Sequence, residues 1–257
     1  MNDQKMRKSS VAVLWALGVL ALVVVLLVGL GRFAITRMTS GNTDNLRPVD
    51  FSNRVTTNFD VKDFKNVTFI GSWKVDMKRG DNWQVELTYP KGIEDDLKVT
   101  IQGEEMVLDP GSRSRNNWNW NWNWWGGGDR GEKVLRARIV MPELQDLTIS
   151  GASDMDLSGF NGDNLRVTIS GAGNIEADEG HYNNLDLTMS GAGNVELRDM
   201  KFVNARVLLS GAGNVELGMD GGVLSGNLSG FGNIEYYGPV SDQRVHISGF
   251  GKVTQKK

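Results

Sequence analysis

The chain has 257 residues, with 28 Lys and Arg against 31 Asp and Glu and a formal net charge of -3. That length holds one large or two small domains, and the near-neutral balance gives no global field for nucleic acid. Cysteine is absent, which excludes a disulfide framework, a thiol nucleophile and a Cys-ligated metal.

The first predicted element is a membrane span. Val11 to Leu30 contains no charged residue. At ~1.5 Å rise per residue, a helix of that length crosses the ~30 Å hydrocarbon core of a bilayer. A chain in lipid must satisfy its backbone internally, so a helix is the local solution. Lys5, Arg7 and Lys8 precede the span, and Arg32 and Arg37 follow it. This slight excess of basic residues before the span favours an N-in orientation. A cleaved signal peptide would have a shorter apolar region and an A-x-A-like site, whereas this exit reads Gly31-Arg32-Phe33-Ala34-Ile35. The expected division is a cytoplasmic tail (1–10), an anchor (11–31), a polar linker (32–50) and an extracytoplasmic domain (51–257).

From Phe51 onward the apolar residues alternate with polar ones, which is the strand signal. Val67 to Met77, Trp83 to Tyr89, Leu97 to Gln102 and Leu135 to Val140 read as strands. Between the last two lies a Trp/Asn-rich insertion at 113–130. It contains Trp118, Trp120, Trp122, Trp124 and Trp125, followed by Gly126-Gly127-Gly128. In an extended strand, Trp118 to Trp124 would share one face and the asparagines the other. Exposed, such rings are a contact for a ligand, a glycan or a membrane. Buried, they cover an end of the fold, and a low-complexity tract can also be a neutral insertion.

The rest of the chain is a repeat. A Ser-Gly pair recurs at Ser150, Ser170, Ser190, Ser210, Ser229 and Ser248, a nearly constant step that shortens by one at the last two copies. The unit reads L-x-L-T-x-S-G-A-G-N-V-E-L. One such unit buries too little apolar surface to fold alone. Stacking puts Ile149, Ile169, Met189, Leu209, Leu228 and Ile247 in one inner column. A second column holds Leu157, Ala177, Leu197, Leu217 and Tyr236. Short parallel strands stacked at this period form a β-helix, since a propeller blade needs about twice the length. The fold class is therefore all-β: a single parallel β-helical solenoid whose coils follow the Ser-Gly spacing, preceded by one transmembrane helix.

Two polar columns come with the repeat. Asn174, Asn194, Asn214 and Asn233 follow the glycines, which are expected to supply the positive φ of a sharp corner. Asp156, Glu176, Glu196, Glu216 and Glu235 come two residues after the corner position. Like charges stacked ~4.8 Å apart repel by roughly 0.9 kcal/mol per pair in bulk water. A solvated face with relieving neighbours accommodates that. So would a hard cation such as Ca²⁺, with Glu176, Glu196, Glu216, Asn194 and Asn214 as candidate ligands. No other cofactor is indicated.

The repeated S-G-A-G-N-[IV]-E and the lead-in Met141-Pro142-Glu143-Leu144-x-x-Leu147-x-Ile149-Ser150-Gly151 resemble the head GIN domain family over Asn58 to Val253. The resemblance implies a right-handed β-helical domain on a bacterial cell envelope, with an adhesive role assigned to it. The segment Gly251–Lys257 holds no run of alternating strands for an outer-membrane barrel, so the expectation is a head domain without one.

The function expected is binding without catalysis, by a single-pass protein of the inner membrane whose bulk is periplasmic. The bilayer contacts residues 11–30, and the partner is a glycan, peptidoglycan or an envelope protein. Self-association into a homo-oligomeric scaffold is an alternative. A polysaccharide-acting enzyme is another, but every repeat produces a carboxylate, so a carboxylate pair is no signal of glycoside cleavage. The two histidines, His181 and His246, have no recognisable partner or metal spacing.

Overall fold

The computed structural model describes residues 50–111 and 134–257, which belong to one compact unit. The predicted span at 11–31 and the insertion at 113–130 lie outside the described residues. Within them there are sixteen strands, and no helix is long and apolar enough to cross a membrane.

The strands wind into a β-solenoid. Its first ladder starts at β2 (Asn66–Arg79) and passes through β7 (Asp146–Ser158), β8 (Asn161–Ile169), β10 (Gly180–Met189), β11 (Ala192–Leu209), β13 (Val223–Leu228) and β15 (Asp242–Ile247). All of these neighbours are parallel. The second ladder uses the C-terminal parts of β2 and β7, then β9 (Ala172–Asp178), the N-terminal part of β11, β12 (Ala212–Met219), β14 (Phe231–Tyr237) and β16 (Phe250–Lys256). A short third side joins Asn161, His181 and Lys201, and Gly162, Tyr182 and Phe202.

The repeat arithmetic holds residue by residue. Ile149 pairs with Ile169, Ile169 with Met189, Met189 with Leu209, Leu209 with Leu228 and Leu228 with Ile247. All but Ile247 are buried, because an inward side chain has its own equivalent above and below it. Phe69 extends the column by pairing with Ile149, and Met77 pairs with Leu157. The early copy at Val67 to Met77 is thus a true coil.

The N-terminal region departs from the simple stack. β1 (Arg54–Phe59) and β3 (Gln84–Pro90) add to the second ladder antiparallel, and β3 lies antiparallel to β6 (Leu135–Met141). On the first ladder, β4 (Lys98–Gln102) is antiparallel to β5 (Glu105–Asp109). Only β4 and β5 form a hairpin with a short connection, whereas β1–β3 and β3–β6 pair across intervening strands. Large side chains fill this end. Trp73 is buried edge-on to Phe69 at 5.9 Å and donates Nε1–H to the Ile70 carbonyl at 2.8 Å. Trp83 donates to the Phe64 carbonyl at 3.0 Å. Under the third side, Tyr182 stacks on Phe202 and donates its hydroxyl to the Leu144 carbonyl at 2.8 Å. Burial holds that phenol above its ordinary pKa.

Beyond Gly151, which has φ 150°, the first glycine column has a different cause from the one expected. Gly171, Gly191 and Gly211 do not adopt positive φ. A Cβ on Gly191 would lie 1.6 Å from the Gly171 carbonyl oxygen, so close backbone approach between coils excludes a side chain. In the second column both causes act: Gly193 has φ 148°, and a Cβ on it would lie 1.8 Å from the Gly173 carbonyl oxygen.

Candidate functional site

On the outer side of the first ladder, the sequence periodicity makes two polar columns flanking an inward one. Leu165, Leu185 and Ala205 point in and are buried. The residue before each is asparagine: Asn164, Asn184 and Asn204, in mutual register. The residue after each is charged, and the sign alternates from coil to coil through Asp146, Arg166, Asp186 and Arg206, then Ser225 and Arg244. Side chains two apart on a strand stand on the same face, so the columns form two walls with strand backbone between them.

The walls enclose a groove with a volume of about 730 Å³. It runs from the level of Asn66 and Gln145 to that of Val223 and Ser225. At ~4.8 Å per coil, those levels extend over about 24 Å. The asparagine wall is internally bonded. Asn184 Nδ2 donates to Asn164 Oδ1 at 3.0 Å, and Asn204 Nδ2 donates to Asn184 Oδ1 at 3.2 Å. The amide of Val223 closes the series on Asn204 Oδ1 at 3.0 Å. On the charged wall, Arg166 Nη1 bridges to Asp146 Oδ2 at 3.1 Å. Asp186 and Arg206 are neighbours in register, yet among the described residues neither forms an ion pair or side-chain hydrogen bond.

The corner asparagines and acids lie on the second ladder. Glu176, Glu196 and Glu216 are successive register partners, so the predicted column is real. Among the described residues, no group of three or more His, Cys, Asp or Glu converges as a metal-holding cluster. The column is relieved by protein groups instead. Glu216 lies 3.8 Å from Arg198 Nη1 and accepts from the Tyr237 hydroxyl at 3.4 Å. Glu235 pairs with Lys256 at 3.1 Å. The Arg198 guanidinium is held above its ordinary pKa, first by its hydrogen bond to Asp199, then by the charges of Asp199 and Glu216. Asn194 Oδ1 already accepts from Asn214 N and Nδ2, both at 3.3 Å, and Asn214 Oδ1 accepts from Asn233 in the same way. The amide oxygens named as candidate ligands are therefore engaged along the ladder.

The five tryptophans named above lie outside the described residues. His181 Nε2 lies 3.9 Å from Asp220 Oδ2, and both side chains are about half exposed. The groove was missed in the sequence reading. Its signal was legible as the Asn-Leu-Asp/Arg triplet at 164–166, 184–186 and, with Ala, 204–206, which the more regular Ser-Gly repeat overshadowed. The aromatic pair Phe231 and Phe250 was missed as well. It replaces the alanine of the repeat, and the two rings stack at 5.1 Å with an 8° interplanar angle.

A family model described as "Putative auto-transporter adhesin, head GIN domain" matches residues 63–238. The chain belongs to the head GIN domain family. No curated protein matches it in sequence. A solved structure of a "putative adhesin" from Bacteroides fragilis superposes with a TM-score of 0.57 at 15% identity, covering 79% of this chain and 97% of the other. A second "putative adhesin", from Parabacteroides merdae, has a TM-score of 0.41 at 15% identity, covering 80% and 97%. A "putative lipid binding protein" from Parabacteroides distasonis has a TM-score of 0.42 at 17% identity, again covering 80% and 97%. At these identities the first likeness speaks to the fold.

Proposed function

We propose that this GIN-domain protein is a non-catalytic, adhesin-like binding protein of a bacterial envelope. In this reading Val11–Leu30 tethers it N-in to the inner membrane, and the solenoid stands outside as a rigid recognition surface. We take the solenoid as right-handed, the hand that parallel crossovers overwhelmingly adopt.

The observation that carries the binding reading is the groove. It is concave, polar on both walls and extended along one ladder, so it suits a chain-like partner more than a small molecule. The absence of catalysis is part of the proposal. Its support is that the repeat's regular acid column lies on the second ladder, where Glu216 and Glu235 are ion-paired, and that of the two groove carboxylates Asp146 is held by Arg166. Trp118, Trp120, Trp122, Trp124 and Trp125 remain in the proposal as an auxiliary contact with a glycan or the headgroup zone.

A second reading, self-association, draws on Phe231 and Phe250, which are 54% and 74% exposed. Lys252 and Lys256 on β16 work against edge pairing between copies, since charged edge residues discourage it.

The test has two arms. Protease treatment of intact spheroplasts digests the solenoid and spares the anchor if the tether is N-in. Binding of the detergent-solubilised chain to envelope preparations, with and without Asn116–Trp125, measures adhesion and the share of the tryptophan tract. A chain that resists protease outside the membrane and binds no envelope component refutes the reading.

A further inference from the structure

We propose that the groove between the asparagine column and the alternating Asp/Arg column binds an uncharged glycan chain lying along the solenoid axis. This rests on the binding role argued above and names the chemistry of its ligand.

The charged wall decides against polyelectrolytes. A polyanion threaded through the groove meets Arg166 and Arg206, but also Asp146 and Asp186 at the intervening levels. A polycation meets the reverse pattern. Either sequence of like charges is attracted and repelled in turn, so the net Coulomb gain nearly cancels along the groove. A nucleic acid or an acidic polymer gains nothing there that a neutral chain lacks.

A peptide strand fares no better. β8 and β10 are hydrogen-bonded on both sides, so no free strand edge exists for augmentation. The inward Leu165, Leu185 and Ala205 are only 2% exposed, so there is no apolar pocket for side-chain anchors.

Hydroxyl groups match what remains. An asparagine amide carries two donor hydrogens and an oxygen with two lone pairs, and the ladder uses about half of that capacity. Arg206 offers guanidinium donors and Asp186 carboxylate acceptors, and neither is engaged among the described residues. The asparagine wall thus offers donors and acceptors at each coil, about 4.8 Å apart, while the charged wall alternates acceptor and donor from coil to coil. A sugar hydroxyl both donates and accepts, and successive rings of an extended glycan advance by a comparable step. With no aromatic ring among the described residues that line the groove, each sugar ring is held by hydrogen bonds, and affinity accumulates with chain length.

The experiment uses the full chain in detergent micelles, titrated with fluorescent hexasaccharides of β-linked glucose and of N-acetylglucosamine. Heparin and polylysine serve as charged probes. Variants are Arg206→Ser, which copies Ser225 of the next coil and so suits the fold, Asn184→Ala, and Glu196→Gln on the other ladder as a control. The expected result is saturable binding of at least one neutral hexasaccharide, tenfold or more weaker in Arg206→Ser and Asn184→Ala and unchanged in Glu196→Gln. Disaccharides bind at least tenfold more weakly than hexasaccharides. Neutral-glycan binding that ignores both groove variants, or tighter groove-dependent binding of heparin or polylysine, overturns the proposal. If the wild-type chain adheres to envelope preparations but no neutral hexasaccharide binds, the glycan assignment falls and the adhesive reading stands. If it binds neither, both fall.

Discussion

Replacing Gly191 with alanine puts the stacking geometry at risk directly. The new Cβ would lie 1.6 Å from the Gly171 carbonyl oxygen and 2.6 Å from its carbon. Real Cβ contacts stay beyond 3.0 Å, so the two coils must move apart locally to admit the methyl. The Ala192 N–H bond to Gly171 O and the Ser190 N–H bond to Ile169 O, both 2.9 Å, lie beside that contact and are stretched out of range. Two lost bonds at ~0.5–1.5 kcal/mol each, added to overpacking of ~1–3 kcal/mol, give a destabilisation of about 2–6 kcal/mol. Urea denaturation followed by circular dichroism reads this as a lower midpoint at unchanged slope. Gly92→Ala is the comparison: its φ is +96° and nothing lies within 4 Å, so only the backbone term applies, ~1–2 kcal/mol. A Gly191→Ala chain within ~0.5 kcal/mol of wild type would refute the close-approach argument, because no unstrained position exists for that methyl.

Further outcomes are expected from the same structure. Tyr182→Phe loses the bond to the Leu144 carbonyl and costs ~0.5–1.5 kcal/mol at neutral pH. Because burial raises the folded-state pKa of Tyr182 above the ordinary 10.0, its stabilising share is complete below pH 10 and declines as pH rises from there, so the variant flattens the alkaline fall of unfolding free energy. Ser153→Ala removes a buried hydroxyl that has no hydrogen-bond partner among the described residues, and it is neutral or stabilising by up to ~1 kcal/mol in the urea assay. Phe250→Ala costs at most ~1.5 kcal/mol, since it breaks one stacked pair on the surface, and it leaves the fold intact by circular dichroism. Millimolar Ca²⁺ or a chelator leaves the melting temperature unchanged, because Arg198, Tyr237 and Lys256 already relieve the acid column. A rise of several degrees with Ca²⁺ would reinstate a cation on Glu176, Glu196 and Glu216.

Most of the architecture was legible because a solenoid writes its geometry as a period. The inner columns from Ile149 to Ile247 follow from counting, since one residue of slip would turn every side chain outward. The antiparallel closure by β1, β3 and β4 was not legible. Alternation marks a strand without stating which neighbour it takes or in which direction. The glycine columns were found for an incomplete reason: sequence shows where a side chain is forbidden, but only the structure shows that backbone contact alone requires Gly191, while contact and positive φ together require Gly193. The groove stayed hidden because its charged wall, unlike the Ser-Gly corners, varies in residue type. Asp and Arg alternate, and their meaning appears only once register places Asp186 between Arg166 and Arg206.

The most direct test of the account follows the side-chain amide resonances of Asn164, Asn184 and Asn204 by nuclear magnetic resonance while a neutral hexasaccharide is added to the full chain in micelles. The account predicts saturable shifts at these three amides, with the Asn194 and Asn214 amides of the other ladder unmoved. Saturable binding that moves only the second ladder or the 118–125 segment would contradict it.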